Sequence, residues 1–159
     1  MKKAVFAGTF DPVTDGHLDL ARRALRLVDS LTIAVASRPE KGVLFSQEDR
    51  VLMIREALAS ETRLIVEPFS GLLVDYAKTR GIGIIIRGLR FISDFEYEFQ
   101  MALMNRHMSE NFETVFMVPS VETTYISSSV VREVAQHGGN LNGLVHPAVA
   151  KALAKKFEK

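Results

Sequence analysis

Two kinds of hydrophobic pattern alternate along the chain. Short, continuous, β-branched apolar runs lie at residues 4–7, 31–36, 64–66, 82–86 and 115–118. Unbroken apolar character of this length suits strands covered on both faces. Longer amphipathic stretches stand between them. Residues 16–28 carry Leu18, Ala21, Leu25 and Val28 at helical spacing. Ser46 opens the next helix as a cap, with Asp49 three residues on, and the pattern continues through Val51, Ile54 and Leu58. Residues 70–78 form a third helix, with Gly81 as its stop. The longest spans 91–108: Phe91, Phe95, Phe99 and Leu103 share one face, and Met101, Met104 and Met108 build a second. That doubled face predicts burial on both sides, the second against another subunit. A fifth helix runs over 127–137 to Gly138-Gly139, and Pro147 starts a sixth that reaches about Phe157. Five strands alternating with helices predict βαβ units and a parallel sheet with right-handed crossovers.

Composition narrows this little. The chain has 159 residues, 47% apolar and 25% charged, as expected of a globular protein. It has no linker, repeat or low-complexity tract, and we read 1–159 as one domain. Twenty basic residues against 19 acidic leave a net charge of +1, so no global excess points to nucleic acid or an anionic membrane. The absence of cysteine excludes disulfides, thiolate-ligated zinc and thiol catalysis. No apolar run reaches the roughly 18 residues that span a bilayer or the about 7–15 of a signal h-region. The expectation is a cytoplasmic protein without a membrane partner.

The unusual residues gather just beyond strand ends, where open α/β sheets bind ligands. After the first strand, residues 8–17 read GTFDPVTDGH. Two glycines and a proline shape a loop that enters a helix near His17, where free N–H groups attract phosphate. Thr9 and His17 flank it; a capped turn is the plainer reading. The loop is not a P-loop, which needs Gly-x-x-x-x-Gly-Lys-Ser/Thr, nor a dinucleotide fingerprint. After the fourth strand comes Arg87-Gly88-Leu89-Arg90, two guanidinium forks matched to phosphate oxygens. Surface ion pairs with Asp94, Glu96 or Glu98 account for these arginines equally well. After the fifth strand, Thr123 to Ser129 opens a helix with three serines, where capping needs one. Lys41, in a polar loop, can reach a phosphate but taken singly reads as solvated. His107, His137 and His146 have structural readings. No HExxH, histidine pair or carboxylate cage holds a metal, and no Gly-x-Ser-x-Gly elbow is present.

Taken together, these segments resemble a known family. Gly8-Thr9-Phe10-Asp11-Pro12 with Gly16-His17, and Ile126-Ser127-Ser128-Ser129 with Arg132, look like the two motifs of the nucleotidyltransferase superfamily. Arg87-Gly88-Leu89-Arg90 with Asp94-Phe95-Glu96-Tyr97-Glu98, and Met104-Asn105-Arg106-His107, look specific to the bacterial phosphopantetheine adenylyltransferases. The similarity runs from about Lys3 to Pro147.

The resemblance implies a Rossmann-like, doubly wound, five-stranded parallel sheet with helices on both faces. It implies the reaction of ATP with 4′-phosphopantetheine to give dephospho-coenzyme A and pyrophosphate, by direct in-line attack on the α-phosphorus. Catalysis would then be positioning and charge stabilisation. His17 would donate to the α-phosphate, with Thr9, Lys41 and Arg90 completing the catalytic group. Thr9, Phe10, His17, Gly88, Leu89, Arg90 and Glu98 would contact ATP. So would Thr123, Thr124, Tyr125, Ile126, Ser127, Ser128 and Ser129. Thr9, Lys41, Leu73 and Arg87 would hold phosphopantetheine. Mg²⁺ carried by the ATP phosphates, a homohexamer and feedback by coenzyme A are also implied.

Four positions depart from the common pattern: Thr14, where the wider superfamily often has histidine, and Ala7, Thr123 and His146. Thr123 replaces a frequent tryptophan of the adenine wall. Two rivals stand beside this reading. One is a transferase for another acceptor, which should lack the Arg-Gly-Leu-Arg and Asp-Phe-Glu-Tyr-Glu pair. The other is a non-catalytic nucleotide sensor, which loss of His17 or an arginine would favour.

Overall fold

The computed structural model describes residues 1–37 and 42–158. Five parallel strands form one sheet: β1 (Lys3–Gly8), β2 (Ser30–Ala36), β3 (Leu64–Phe69), β4 (Ile84–Gly88) and β5 (Glu113–Met117). Between them run α1 (Asp15–Ala24), α2 (Gln47–Ala57), α3 (Leu73–Thr79) and α4 (Ile92–Met108), followed by α5 (Ser128–Gln136) and α6 (Pro147–Phe157). The strand order is β3-β2-β1-β4-β5. The chain therefore winds one way from β1 and the other way through β4, and the switch point falls between these two central strands.

Successive strand residues serve opposite faces. Ala4 and Phe6 of β1, with Leu31, Ile33 and Val35 of β2, join the larger core. Helices α1, α2, α5 and α6 cover that face with Leu18, Ala21, Ile54, Val131 and Leu153. Val5 and Ala7, with Ala34 and Ile85, face a smaller core closed by Val74, Tyr76 and Ala77 of α3 and by Phe112. Burial on both sides is why the central strands lack the alternation of a half-solvated strand.

The predicted and observed elements agree in kind and order, and their bounds differ for local reasons. Gly81 takes a positive φ of 63°, which ends α3 and uses residues 82 and 83 in the turn, so β4 starts at Ile84. β3 continues through Glu67 and Pro68 beyond the apolar run. It is an edge strand, where a proline costs no ladder bond.

The larger difference is α4. Its residues were expected to be buried on both faces. Within one chain Asn105 is its single buried residue, while Phe95, Phe99, Leu103 and Met104 are between 44% and 52% exposed. The smaller core covers only the edge of this helix. Among the described residues no helix is long and apolar enough to cross a membrane.

Candidate active site

The carboxyl ends of β1 and β4 open into a cavity of about 640 Å³, a size that suits a small-molecule site. Phe6, Leu20 and Ile126 supply apolar lining. The polar lining comes from three segments: the loop after β1, the stretch from Arg87 into α4, and residues 119–132.

The first loop is built from inside. Asp11 is 4% exposed, and its carboxylate accepts the backbone N–H groups of Leu44 and Phe45 at 2.8 and 2.9 Å. Arg132 of α5 donates to the Asp11 carbonyl and lies 3.5 Å from its carboxylate. Ser128 Oγ donates to the Pro12 carbonyl at 2.8 Å. Phe10 takes φ 51°, unusual for a bulky residue, and its ring packs edge-on against Phe6 and His17. Gly8 lets this ring approach closely. A Cβ on it would stand 3.0 Å from the Phe10 ring.

His17 sits in the first turn of α1. The backbone N–H of Thr14 donates to its Nδ1 at 3.1 Å, and the Thr14 hydroxyl lies 2.9 Å from the same nitrogen. An N–H can only donate, so Nδ1 is the acceptor and the neutral ring carries its proton on Nε2. Burial lowers the His17 pKa from 6.5 to about 4, with Arg90 and then Arg87 adding to the shift. The side chain is therefore a neutral donor at physiological pH. Its Nε2–H has no partner among the described residues.

Arg87 and Arg90 both reach the cavity, and both make the ion pairs that were the alternative reading. Arg87 donates from Nε to Glu98 at 2.7 Å, from Nη2 to the same carboxylate, and from Nη1 to the Ala7 carbonyl at 2.8 Å. Arg90 lies 3.5 Å from Asp94, one turn along. The three serines divide their work. Ser127 caps α5 through the N–H of Val130, Ser128 anchors the first loop, and Ser129 meets the Ser127 hydroxyl at 3.0 Å.

The cavity thus gathers Thr9, Phe10, His17, Arg87, Gly88, Arg90, Glu98, Thr123, Ile126, Ser127, Ser128 and Ser129 from the predicted site. Four other residues named for it stand outside the lining. Leu73 packs on the smaller core. The backbone N–H of Leu89 is tied to the Met117 carbonyl. Thr124 donates its hydroxyl to the Ser120 carbonyl, and Tyr125 is 62% exposed. Lys41 lies outside the described residues. Sequence reasoning missed the anchoring work of Asp11 and Arg132, and missed Arg50 altogether. The partners of Asp11 are 33 to 121 residues away and those of Arg50 up to 41, and no local pattern encodes that.

Among the described residues no three histidine or acidic side chains stand together as a metal site. The cavity's carboxylates, Asp11, Asp94 and Glu98, are each engaged by backbone N–H groups or arginines. This donor set does not itself fit a protein-held divalent cation.

Comparison with known proteins agrees with this geometry. The cytidylyltransferase-like family matches residues 5–134. A curated phosphopantetheine adenylyltransferase of Geotalea daltonii is 50% identical over 159 residues, covering all of this chain and 99% of the relative. That of Thiobacillus denitrificans is 49% identical with the same coverage. That of Geobacter metallireducens is 52% identical over 158 residues, covering 99% of this chain and 97% of the relative. The chain belongs to the phosphopantetheine adenylyltransferase family, within the cytidylyltransferase-like group.

Proposed function

We propose that this chain is one nucleotidyltransferase domain that transfers the adenylyl group of ATP to 4′-phosphopantetheine. A phosphate oxygen of the acceptor attacks the α-phosphorus in line. The new P–O bond forms as the bond to the β,γ-phosphates breaks, releasing pyrophosphate and dephospho-coenzyme A. The observation that carries this reading is the neutral His17, its tautomer fixed by Thr14 and its Nε2–H without a partner among the described residues, in the lining of a cavity shared with Arg87 and Arg90. A neutral donor held in place stabilises charge as it builds on the α-phosphate, without reorganisation.

Thr9, Phe10, Gly88, Leu89, Arg90, Glu98 and the segment from Thr123 to Ser129 take ATP on this reading. Thr9, Lys41, Leu73 and Arg87 take the acceptor. Thr9, Lys41 and Arg90 join His17 around the reacting groups. Both arginines exchange a carboxylate for phosphate oxygens when substrate enters. Mg²⁺ enters bound to the ATP phosphates, in keeping with the engaged carboxylates of the cavity. Coenzyme A acts as a feedback inhibitor, and the enzyme works in the cytoplasm.

The test is pyrophosphate release from ATP, Mg²⁺ and 4′-phosphopantetheine, with a parallel run without acceptor. Release only with acceptor, matched by dephospho-coenzyme A, is the expected result. No release from folded, ATP-binding protein rejects it, and a panel of other acceptors then separates a different transferase from a nucleotide sensor.

The uncovered apolar face of α4 supports a homohexamer. Light scattering at micromolar concentration should give six times the chain mass of 17.7 kDa; the chain mass itself would overturn the assembly.

A further inference from the structure

Arg50 of α2 is 1% exposed and does not line the cavity, yet it touches three segments that converge there. Its Nε donates to the carbonyls of Phe45 and Ser46, each at 3.2 Å. Its Nη1 donates to the carbonyls of Ala36, at 3.0 Å, and Thr9, at 2.5 Å. No carboxylate of the described residues forms an ion pair with it. A buried cation is costly, and an apolar side chain often packs such a site as well or better. Packing therefore does not explain why a guanidinium stands behind this loop.

The Thr9–Phe10 peptide supplies an explanation. It is trans, so its C=O and N–H point in opposite directions. Arg50 holds the carbonyl from the core side. The Phe10 N–H therefore points away from Arg50, its residue lines the cavity, and it has no acceptor among the described residues. The left-handed φ of 51° at Phe10 belongs to the same arrangement, because an unfavourable backbone conformation persists only where its surroundings hold it.

We infer that Arg50 is a positioning residue: by fixing the Thr9 carbonyl, it presents the Phe10 N–H as a phosphate donor beside His17. This rests on reading the cavity as a triphosphate site. The Arg50 cation, buried behind the peptide, also strengthens the donor's pull on an anion.

The experiment joins kinetics to an amide signal. In wild-type protein labelled with [¹⁵N]phenylalanine, saturating tripolyphosphate should move the Phe10 amide proton downfield, with the resonance assigned through Phe10→Leu. In Arg50→Lys that shift should vanish. Turnover at saturating substrates should fall about 10–10²-fold, the scale of a misplaced reacting group, while the KM for the acceptor stays within about threefold. Millimolar guanidinium should restore turnover to Arg50→Ala, and equal ammonium should not. A folded Arg50→Lys with full turnover overturns the inference. So does a wild-type Phe10 amide that tripolyphosphate leaves unmoved, a result that needs no variant to fold. Wild type that releases no pyrophosphate fails the proposed function. Wild type that turns over with an unmoved Phe10 amide fails only this inference.

Discussion

The two walls of the cavity hold their charges differently. On the wall made by the loop after β1, Asp11 and Thr14, with Arg50 behind them, are all under 5% exposed, and their partners are mostly backbone groups of that loop, of the chain entering α2, and of α1. On the wall made by β4 and α4, the pairs Arg87–Glu98 and Arg90–Asp94 are side chain to side chain, the first half-buried with Arg87 also donating to the Ala7 carbonyl and the second more exposed, and Tyr97 beside them is 63% exposed. A buried polar network strongly penalises any unpaired member, so it enforces one geometry. A solvent-exposed ion pair contributes little net stability and gives up its partner at little cost. One wall is a frame, and the other is a set of replaceable counter-ions. A phosphoryl-transfer site needs both: donors that do not move as charge develops, and cations that are released to the incoming phosphates.

The largest effect should come from the frame's side-chain donor, His17. His17→Ala should lower turnover ~10²–10³-fold, the scale of one lost transition-state donor, while ATP affinity measured by calorimetry changes far less. Unchanged turnover would remove His17 from its role. Next is the anchor beneath it. Asp11→Ala leaves the N–H groups of Leu44 and Phe45 without their acceptor, while Arg132 keeps only the backbone carbonyl of residue 11, and should cost about 3 kcal/mol in denaturant unfolding. A loss under about 1 kcal/mol would mean that this wall is no more built than the other.

A smaller effect concerns pH. His17 titrates near 4 when folded and near 6.5 when unfolded. Between those values the unfolded chain binds more protons, so stability falls as pH drops from 6.5 toward 4 and is unaffected by His17 above 6.5. Wild type should lose on the order of 2–3 kcal/mol more than His17→Gln across that window. The profile of kcat/KM should likewise show no acid limb near 6.5 from this group. Equal losses in the two proteins would contradict the burial of the imidazole. The smallest effect belongs to the exposed wall: Asp94→Ala should change stability by less than about 1 kcal/mol, read in the same unfolding assay. A loss comparable to that of Asp11→Ala would erase the contrast.

The sheet and its helices were legible because burial on two faces leaves unbroken apolar runs, and because Ser46, Gly81, Gly138 and Pro147 mark helix ends with local chemistry. His17, Arg87 and Arg90 were legible because polar groups at strand ends stand out against those runs. Arg50 was not: in sequence it is one more charge in a helix, after an acidic first turn, and its partners lie up to 41 residues away. The fate of α4 was half legible. Its two apolar faces were plain, but periodicity records only that a face is apolar, and nothing in one chain's pattern says what covers it.

The position of the switch point also bears on synthesis. β1, β2 and β3 are complete by Phe69, with β2 paired to both of the others, so an emerging chain can form this half of the sheet early, while the first loop still lacks its anchors Ser128 and Arg132. The opposite wall waits for β4, whose Ile84 to Ile86 pair with Ala4 to Phe6 from the far end of a long loop. Closing that loop is entropically costly and comes late. A chain released before β4 would display the glycine–histidine loop with nothing facing it. The cavity is therefore all or nothing, and a truncated product carries the motif without its chemistry.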